Sequence, residues 1–342
     1  MTAAGARGGG SPAGQEGLSR RLAGELLRAA TAAPSMHNVQ PWRFRIRHAG
    51  GTVELWVDPG RTLPLGDPHG RAAHIACGAA LFNLRVAAAV AGLEPHLRLL
   101  PDPGQPLLLA EIRLAGGHRA TPGERELHAA IPRRQTNREP FSGRAVPPGI
   151  RAELAEAASL EGAFLHFLDH GEAKRVLRLV ADAERDLLAS AGYRTELARW
   201  AGGQRDRDGI PDSALGPRSL EGLAPARDFI PARHHVPVRY AWFESDPQLA
   251  VLSVRHGGPV NWLRAGQALQ RSWLTATFRG IAVCPLTQPL ETADAWQVRD
   301  PRSADEQPQM ILRIGYGLPL PPGAPRRPIS EILHEPEPDQ QP

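Results

Sequence analysis

The sequence is short of several things that a chain of 342 residues often carries. Lysine is nearly missing. Lys174 stands alone, and every other basic side chain counted with it is arginine. Forty Lys+Arg face 36 Asp+Glu, so the net charge is only +4 although the pI is near 9.6. The arginines are scattered and are not interleaved with aromatics, which make up 5% of the chain. A nucleic-acid surface needs clustered base or stacking platforms. No nucleic-acid partner is expected.

Cysteine is scarce as well. Cys77 and Cys284 lie far apart among apolar neighbours and form neither a C-x-x-C pair nor a disulfide framework. Both are expected to be buried and reduced, as suits a cytoplasmic protein. No H-E-x-x-H or other metal spacing occurs, and the neighbouring His234 and His235 would point apart. No metal is expected. G-x-G-x-x-G, Walker A and G-x-S-x-G are missing too, which removes the usual signals of a Rossmann dehydrogenase, a P-loop enzyme and an α/β-hydrolase. No uninterrupted apolar run of about 20 residues exists. The nearest, "HIACGAALFNLRVAAAVAGL", contains Asn83 and Arg85, so no membrane span is expected. Residues 1–17 are Gly-rich without the apolar h-region of a signal peptide and read as a disordered tail. Residues 334–342 read as a second solvated tail.

What is present is enough apolar residue, 42%, for one large domain or two fused ones. Residues 18–33 read as a helix with Leu22, Leu26 and Leu27 on its apolar side. "RFRI" and "TVELWVD" flank "RHAGG", a hairpin signal. From Ala72 to Leu93 apolar residues recur at steps of three and four, and Gly92 is a plausible C-cap. "PLLLAEIRL" then reads as a strand. Later, 161–169 reads as a strand, 171–200 as helix, "YAWFE" and "LAVLSV" as strands, and 264–286 as a second Ala/Gly-rich helix. "QMILRIGYG" reads as a strand.

The two Ala/Gly-rich helices align at an offset of 188 positions. Gly78 then meets Gly266, Leu81 meets Leu269, and Gly92 meets Gly280. Internal duplication explains this, as would shared composition alone. Residues 200–237 are long, polar and rich in Gly, Pro and Arg. Such a segment inside a compact domain reads as a lid or as a surface linker.

Four segments carry chemistry. "PSMHNVQPW" packs Ser35, Met36, His37, Asn38 and Gln40 between a helix end and a strand start. "RRQTNREPF" offers Arg133, Arg134 and Arg138 beside Thr136. Guanidinium forks suit bidentate recognition of phosphate oxygens. "GIAVCPLTQPLE" holds Pro285, Leu286 and Thr287, where a turn would expose backbone donors. "LRIGYG" is followed by "PRRP", in which Arg326 or Arg327 adds a further cation. A planar anion with a phosphate tail fits this donor set.

As a set, the four segments resemble the FMN-binding nitroreductase superfamily, over about residues 20 to 333, and most closely its single-chain, Acg-like branch. In typical members the Arg-Arg segment comes first and the Asn-x-Gln-Pro-Trp segment soon follows. Here the order is reversed, as in a fused pair of lobes with one surviving site. The resemblance implies an α+β fold, nitroreductase-like, with two lobes forming a pseudo-dimer around central helices and antiparallel-type sheets. The lobes would span 18–130 and 131–333, with 200–237 as lid over the flavin. It implies FMN as cofactor, bound by Ser35, Met36, His37, Asn38, Gln40, Arg133, Arg134, Thr136, Arg138, Pro285, Leu286, Thr287 and Arg326 or Arg327. It implies hydride transfer from NAD(P)H to a nitroaromatic, quinone or similar acceptor in a monomer, with no catalytic side chain required. The alternative is a stress protein that sequesters FMN under a closed lid with little turnover.

Overall fold

The computed structural model describes residues 18–334 except 49, 221–224, 230–236, 293–296, 299–304 and 322. Local sequence rules set the first elements. Ser19 caps α1 (Arg20–Thr31) by accepting from Leu22 N at 3.3 Å, and the apolar side of the helix buries Leu26 and Leu27. Strands β1 (Trp42–Arg47) and β2 (Thr52–Val57) form the expected antiparallel hairpin, with Trp42 opposite Val57. Helix α2 (Arg71–Val90) stops at Gly92, whose φ of 84° suits only glycine comfortably. Strand β3 (Leu93–Leu99) follows at once and pairs with β4 (Leu108–Gly116). Its Pro95 and alternating charges hide it in the sequence. An edge position tolerates both.

The first sheet runs β1-β2-β4-β3. After α3 (Pro122–Ala130) and α4 (Pro148–Ser159) a second sheet is built from β5 (Phe164–Phe167), β8 (Leu249–Val254), β9 (Ala282–Leu286) and β10 (Gln307–Gly315). Its order, β5-β8-β10-β9, repeats the first, and every pairing in both is antiparallel. In each half a 20-residue helix lies between the second and third strands: α2 in one, α7 (Pro259–Phe278) in the other. The topological repeat supports duplication over shared composition. Between β5 and β8 the second half adds α5 (His170–Ala189), α6 (Ala191–Trp200) and the short β6 (Arg218–Ser219) and β7 (Tyr240–Ala241).

Three expectations need correction. The helix expected through 286 ends at Phe278, because Gly280 turns left-handed (φ 71°), and Ala282–Leu286 is strand β9. Val283 and Pro285 therefore belong to a ladder and not to a turn. Pro285 costs little there, since β9 is an edge and lies opposite Leu312. The helix expected over 171–200 breaks at Ser190, whose hydroxyl caps α6 through Tyr193 N at 3.3 Å. Of "YAWFE", only Tyr240 and Ala241 pair, in parallel with β6.

Helices α2 and α7 form the centre. A Cβ on Gly78 would stand 3.0 Å from Gly266 Cα and run into the Leu263 carbonyl, while one on Gly266 would strike the Ile75 carbonyl. Two glycines thus set the helix separation. Among the described helices α2 has the length and apolar content to cross a membrane, yet 83% of the relevant stretch is buried in the core. Its buried Asn83 is satisfied by Gln270 on α7 (2.7 Å) and by Ala29 O (2.8 Å). Cys77 and Cys284 are both buried and free. Leu333, after the short α8 (Ile329–Ile332), ties the halves together by bridging Phe44 on β1, while within the second half Thr136 bridges Val283 on the outer side of β9.

Candidate functional site

The knot at 34–41 occupies the turn from α1 into β1. Its backbone is unusual. His37, Asn38 and Gln40 all have positive φ, at 49°, 56° and 54°. Non-glycine residues there each carry roughly 1–3 kcal/mol of strain, which persists only where surroundings enforce it. The surroundings are visible. Ser35 Oγ accepts from Gln40 N at 3.0 Å. Asn38 Nδ2 donates to Gly209 O and to Pro325 O, both at 2.9 Å. Gln40 Nε2 donates to Arg207 O at 2.8 Å, and its Oε1 accepts from Arg327 N at 2.9 Å. The knot therefore binds the 200–229 segment and the C-terminal region to the first half.

Beside the knot lie two adjoining cavities that share Pro34, Ser35, Thr136 and Arg138 in their walls. One, of about 230 Å³, is lined by Asn38, Arg134, Ala214, Gly323 and Arg326 among others. The second, of about 90 Å³, is lined by Ile75, Leu269, Trp273, Pro285, Thr287 and Phe229 among others. We call the first the polar end and the second the ring end.

The polar end holds unmatched positive charge. Arg134 is 6% exposed and stacks over Trp273, 4.6 Å from its ring centroid. Its Nη2 donates to Ala32 O at 3.3 Å, while Nε and Nη1 are buried without a partner among the described residues. Arg326 donates to the last carbonyls of α1, at Thr31 O (2.7 Å), Ala32 O and Ala33 O, and to Asn38 Oδ1 at 3.1 Å. No carboxylate reaches either guanidinium among the described residues. Burial, and then the neighbouring Arg326, push Arg134 down to about 9, and burial lowers Arg326 to about 10. A buried cation without a counter-charge is costly. An anion with several oxygens would offset that cost and occupy the two free N–H positions of Arg134.

The ring end is walled partly by Arg227 and Phe229. Phe229, 1% exposed, meets His37 edge-on at 6.2 Å, and Arg138 lies over its other neighbourhood at 5.2 Å. His37 is held far below its usual range by burial, then by Arg227 and Arg138, so it is a neutral donor or acceptor. Arg71, from the first turn of α2, lines the same cavity and donates to Gln309 O at 2.6 Å.

Of the residues expected at the site, Ser35, Met36, His37, Asn38, Arg134, Thr136, Arg138, Pro285, Thr287 and Arg326 line one cavity or both. Four do not. Arg133 is exposed and donates to Thr277 O at 3.3 Å. Leu286 faces the core with Val176 and Ile311. Gln40 is fully buried in the knot. Arg327 turns to Glu331, donating to its carbonyl at 2.7 Å, which leaves Arg326 as the cation at the cleft. Arg71, Arg227, Phe229 and Trp273 were not expected. Trp273 sits among apolar neighbours of a long helix, Phe229 lies in the segment read as a lid or linker, and the arginines carry no motif. His234 and His235 lie outside the described residues.

The repeat also shows what became of the corresponding region in the other half. Residues 32–41 link α1 to β1, but only residues 160–163 link α4 to β5. At the 188-residue offset, Trp273 corresponds to Arg85, Ala76 to Arg264 and Ala79 to Gln267. An open cleft does exist there, lined by Arg85, Glu161, Arg264 and Gln267. It is crossed by ion pairs: Arg85 Nη1 donates to Glu161 at 2.7 Å and to Gln267 Oε1 at 2.6 Å, and Arg271 reaches Glu161 at 2.8 Å. The polar knot and the unpaired arginine pair have no counterpart in it. For the flavin that the resemblance implies, release on denaturation is accordingly expected at one per chain. A ratio near two would show that the second cleft also binds.

The profile of the nitroreductase family matches residues 131–316. "Putative NAD(P)H nitroreductase Rv3131" of Mycobacterium tuberculosis is 35% identical over 334 residues, covering 91% of each chain. "Putative NAD(P)H nitroreductase acg" of the same organism is 31% identical over 316 residues, covering 90% of this chain and 94% of that one. Among solved structures, a nitroreductase with bound FMN from Desulfitobacterium hafniense aligns with TM-score 0.37 at 16% identity, over 62% of this chain and 98% of the other.

Proposed function

Since the chain belongs to the nitroreductase family, we propose that it is an FMN-dependent oxidoreductase that takes hydride from NAD(P)H and delivers it to a nitroaromatic, quinone or similar acceptor. The observation that carries the reading is the pair Arg134 and Arg326, cations without a carboxylate partner among the described residues, at one end of a cleft whose other end joins apolar walls (Ile75, Leu269, Trp273, Phe229) to a polar edge. The two lobes of the reading span 18–130 and 131–333, and the family match over 131–316 supports the second.

The residues present fit the cofactor. Arg134 and Arg326 would hold the phosphate, with the orphaned Nε and Nη1 of Arg134 as the free donors. Ser35 and Thr136 line both ends, and Asn38 lines the polar end. Ile75, Leu269, Trp273 and Pro285 would flank the ring system, and Arg138, Arg71 and neutral His37 would meet its polar edge. When bound, the flavin supplies the hydride chemistry. The chain supplies position and charge. Trp273 and Phe229 exclude water from the ring end, and the arginines favour negative charge there. Substrate reaches the ring end through the side that residues 225–229 cover.

The protein purified and mixed anaerobically with NADPH tests this. A yellow protein that bleaches is the expected result. Yellow colour that persists under NADPH and NADH would point to sequestration, and a colourless protein that cannot be reconstituted would defeat the flavin reading.

A further inference from the structure

Residues 225–229 cross the ring end, and they are fastened through charged groups. Arg227 donates to the Tyr193 hydroxyl, to Glu291 and, at 3.0 Å, to Thr287 Oγ1. Asp228 receives Arg218 Nε at 2.8 Å. The backbone N–H of Asp228 donates to Glu184 Oε1 at 3.1 Å, and Gln288 Nε2 donates to the other oxygen of Glu184 at 3.0 Å. Glu184 belongs to α5, so one carboxyl joins α5, the crossing segment and the turn at 288–291.

This cluster is short of donors. Asp228 Oδ1 and Gln288 Oε1 are buried acceptors without a partner among the described residues. Three carboxyl groups, Glu184, Asp228 and Glu291, face Arg227 and Arg218, while Arg71, which also acts on Glu291, has Asp67 beside it. An ionised Glu184 adds a further acceptor and an uncompensated charge. A neutral Glu184 supplies an O–H, removes the excess charge and still accepts from Asp228 N.

We propose that Glu184 is a proton-sensitive fastener for residues 225–229: as the neutral acid it holds the segment over the ring end, and its ionisation loosens the segment and admits the reaction partner. The functional consequence rests on the flavin reading above; the fastener itself does not. Burial raises the Glu184 carboxyl to about 7, against attraction from Arg227 and the Gln288 hydrogen bond; the Asp228 charge adds to the rise and the Asp228 N–H bond opposes it. Of the other groups facing it, Tyr193 is pushed up by burial and stays neutral, and Arg227 is raised mainly by Glu291 against its own burial and stays charged. His37, beyond Arg227, is neutral.

The sign follows from proton binding. Held down, the segment keeps Glu184 near 7; released, Glu184 returns to the ordinary 4.5. The fastened state therefore binds the proton more tightly. It is favoured at low pH and loses ground as pH rises from the ordinary value through 7. With those two values the fastened-to-released ratio falls on the order of fiftyfold between pH 5 and 7.5.

Hydrogen exchange on the flavin-free protein reads this directly. After correction for intrinsic exchange, protection of the Asp228 and Phe229 amides is expected to fall by about that factor across the window. Glu184→Gln, whose amide supplies the missing donors without a charge, should be well protected and flat with pH. Parallel slopes in both proteins would overturn the proposal. If the variant does not fold, carbon-13 NMR of the wild-type carboxyls decides. A Glu184 resonance titrating near 7 supports the fastener, and one near the ordinary 4.5 overturns it. Flavin release from the loaded protein should accelerate over the same window. Sloped exchange in a protein that cannot be loaded with flavin would defeat the flavin reading and leave the fastener standing.

Discussion

Gly266→Leu is expected to yield no stably folded protein, and Gly266→Ala to lower stability by about 1–3 kcal/mol despite the better helix propensity of alanine. In an exposed helix alanine would gain roughly 1 kcal/mol over glycine. Here the added Cβ meets the Ile75 carbonyl and comes within 2.9 Å of Gly78 Cα. Backbone cannot rotate away as a long side chain can, so α2 and α7 must separate. Overpacking of a fitted core costs about 1–3 kcal/mol and sometimes more. A leucine adds three further carbons to the same point, against a total stability of roughly 5–15 kcal/mol. Urea midpoints at constant m, with soluble yield, would measure both variants. A midpoint for Gly266→Ala at or above wild type would show that the two helices are not fixed by this contact. The cleft would suffer too, since Ile75 on α2 and Leu269 and Trp273 on α7 all line its ring end.

The second large effect concerns the polar end. The double variant Arg134→Ala/Arg326→Ala should bind FMN on the order of 10²–10⁴-fold more weakly, because each charge-assisted bond contributes roughly 1.5–3 kcal/mol. The two residues are close enough to couple, so the single variants need not sum. Riboflavin, which lacks the phosphate, should lose far less. It could even gain, because removing Arg134 relieves a buried charge that burial already pushes down to about 9. Fluorescence titration of apoprotein with both ligands gives the ratio. Equal weakening of FMN and riboflavin would mean that the arginines support the fold and do not grip the phosphate. Arg326 also holds the end of α1 through three carbonyls, so Arg134→Ala alone is the cleaner control.

Some of the site was legible because it is local in sequence. "SMHNVQPW" announces itself by crowding short polar side chains between a helix and a strand, and "RRQTNR" by its guanidiniums. Neither segment shows by itself which member faces the cleft. Arg133 and Arg134 are adjacent, yet one lies in solvent against Thr277 and the other is buried over Trp273. Arg326 and Arg327 divide the same way, one toward α1 and the other toward Glu331. Direction along a turn depends on φ and ψ, and those are set by partners hundreds of residues away.

The sequence by itself determined the alternation of helices and strands, the glycine at 92 that stops the first long helix, the buried state of both cysteines, and the alignment of Gly78 with Gly266 in the repeat. Each of these follows from short-range periodicity, from the conformational freedom of glycine, or from an internal repeat. Tertiary structure alone decided the rest. It turned residues 282–286 into an edge strand, because β10 offered a ladder. It placed Phe229 and Arg227 over the ring end, because α5, α6 and the turn at 288–291 supply the carboxylates and the hydroxyl that hold them. It filled the second cleft with the Arg85–Glu161–Arg271 ion pairs, because shortening the α4–β5 link brings Glu161 between two arginines on different helices. Those outcomes depend on which distant groups meet in a low-dielectric interior, where an unmatched charge or a lone acceptor weighs more than local propensity.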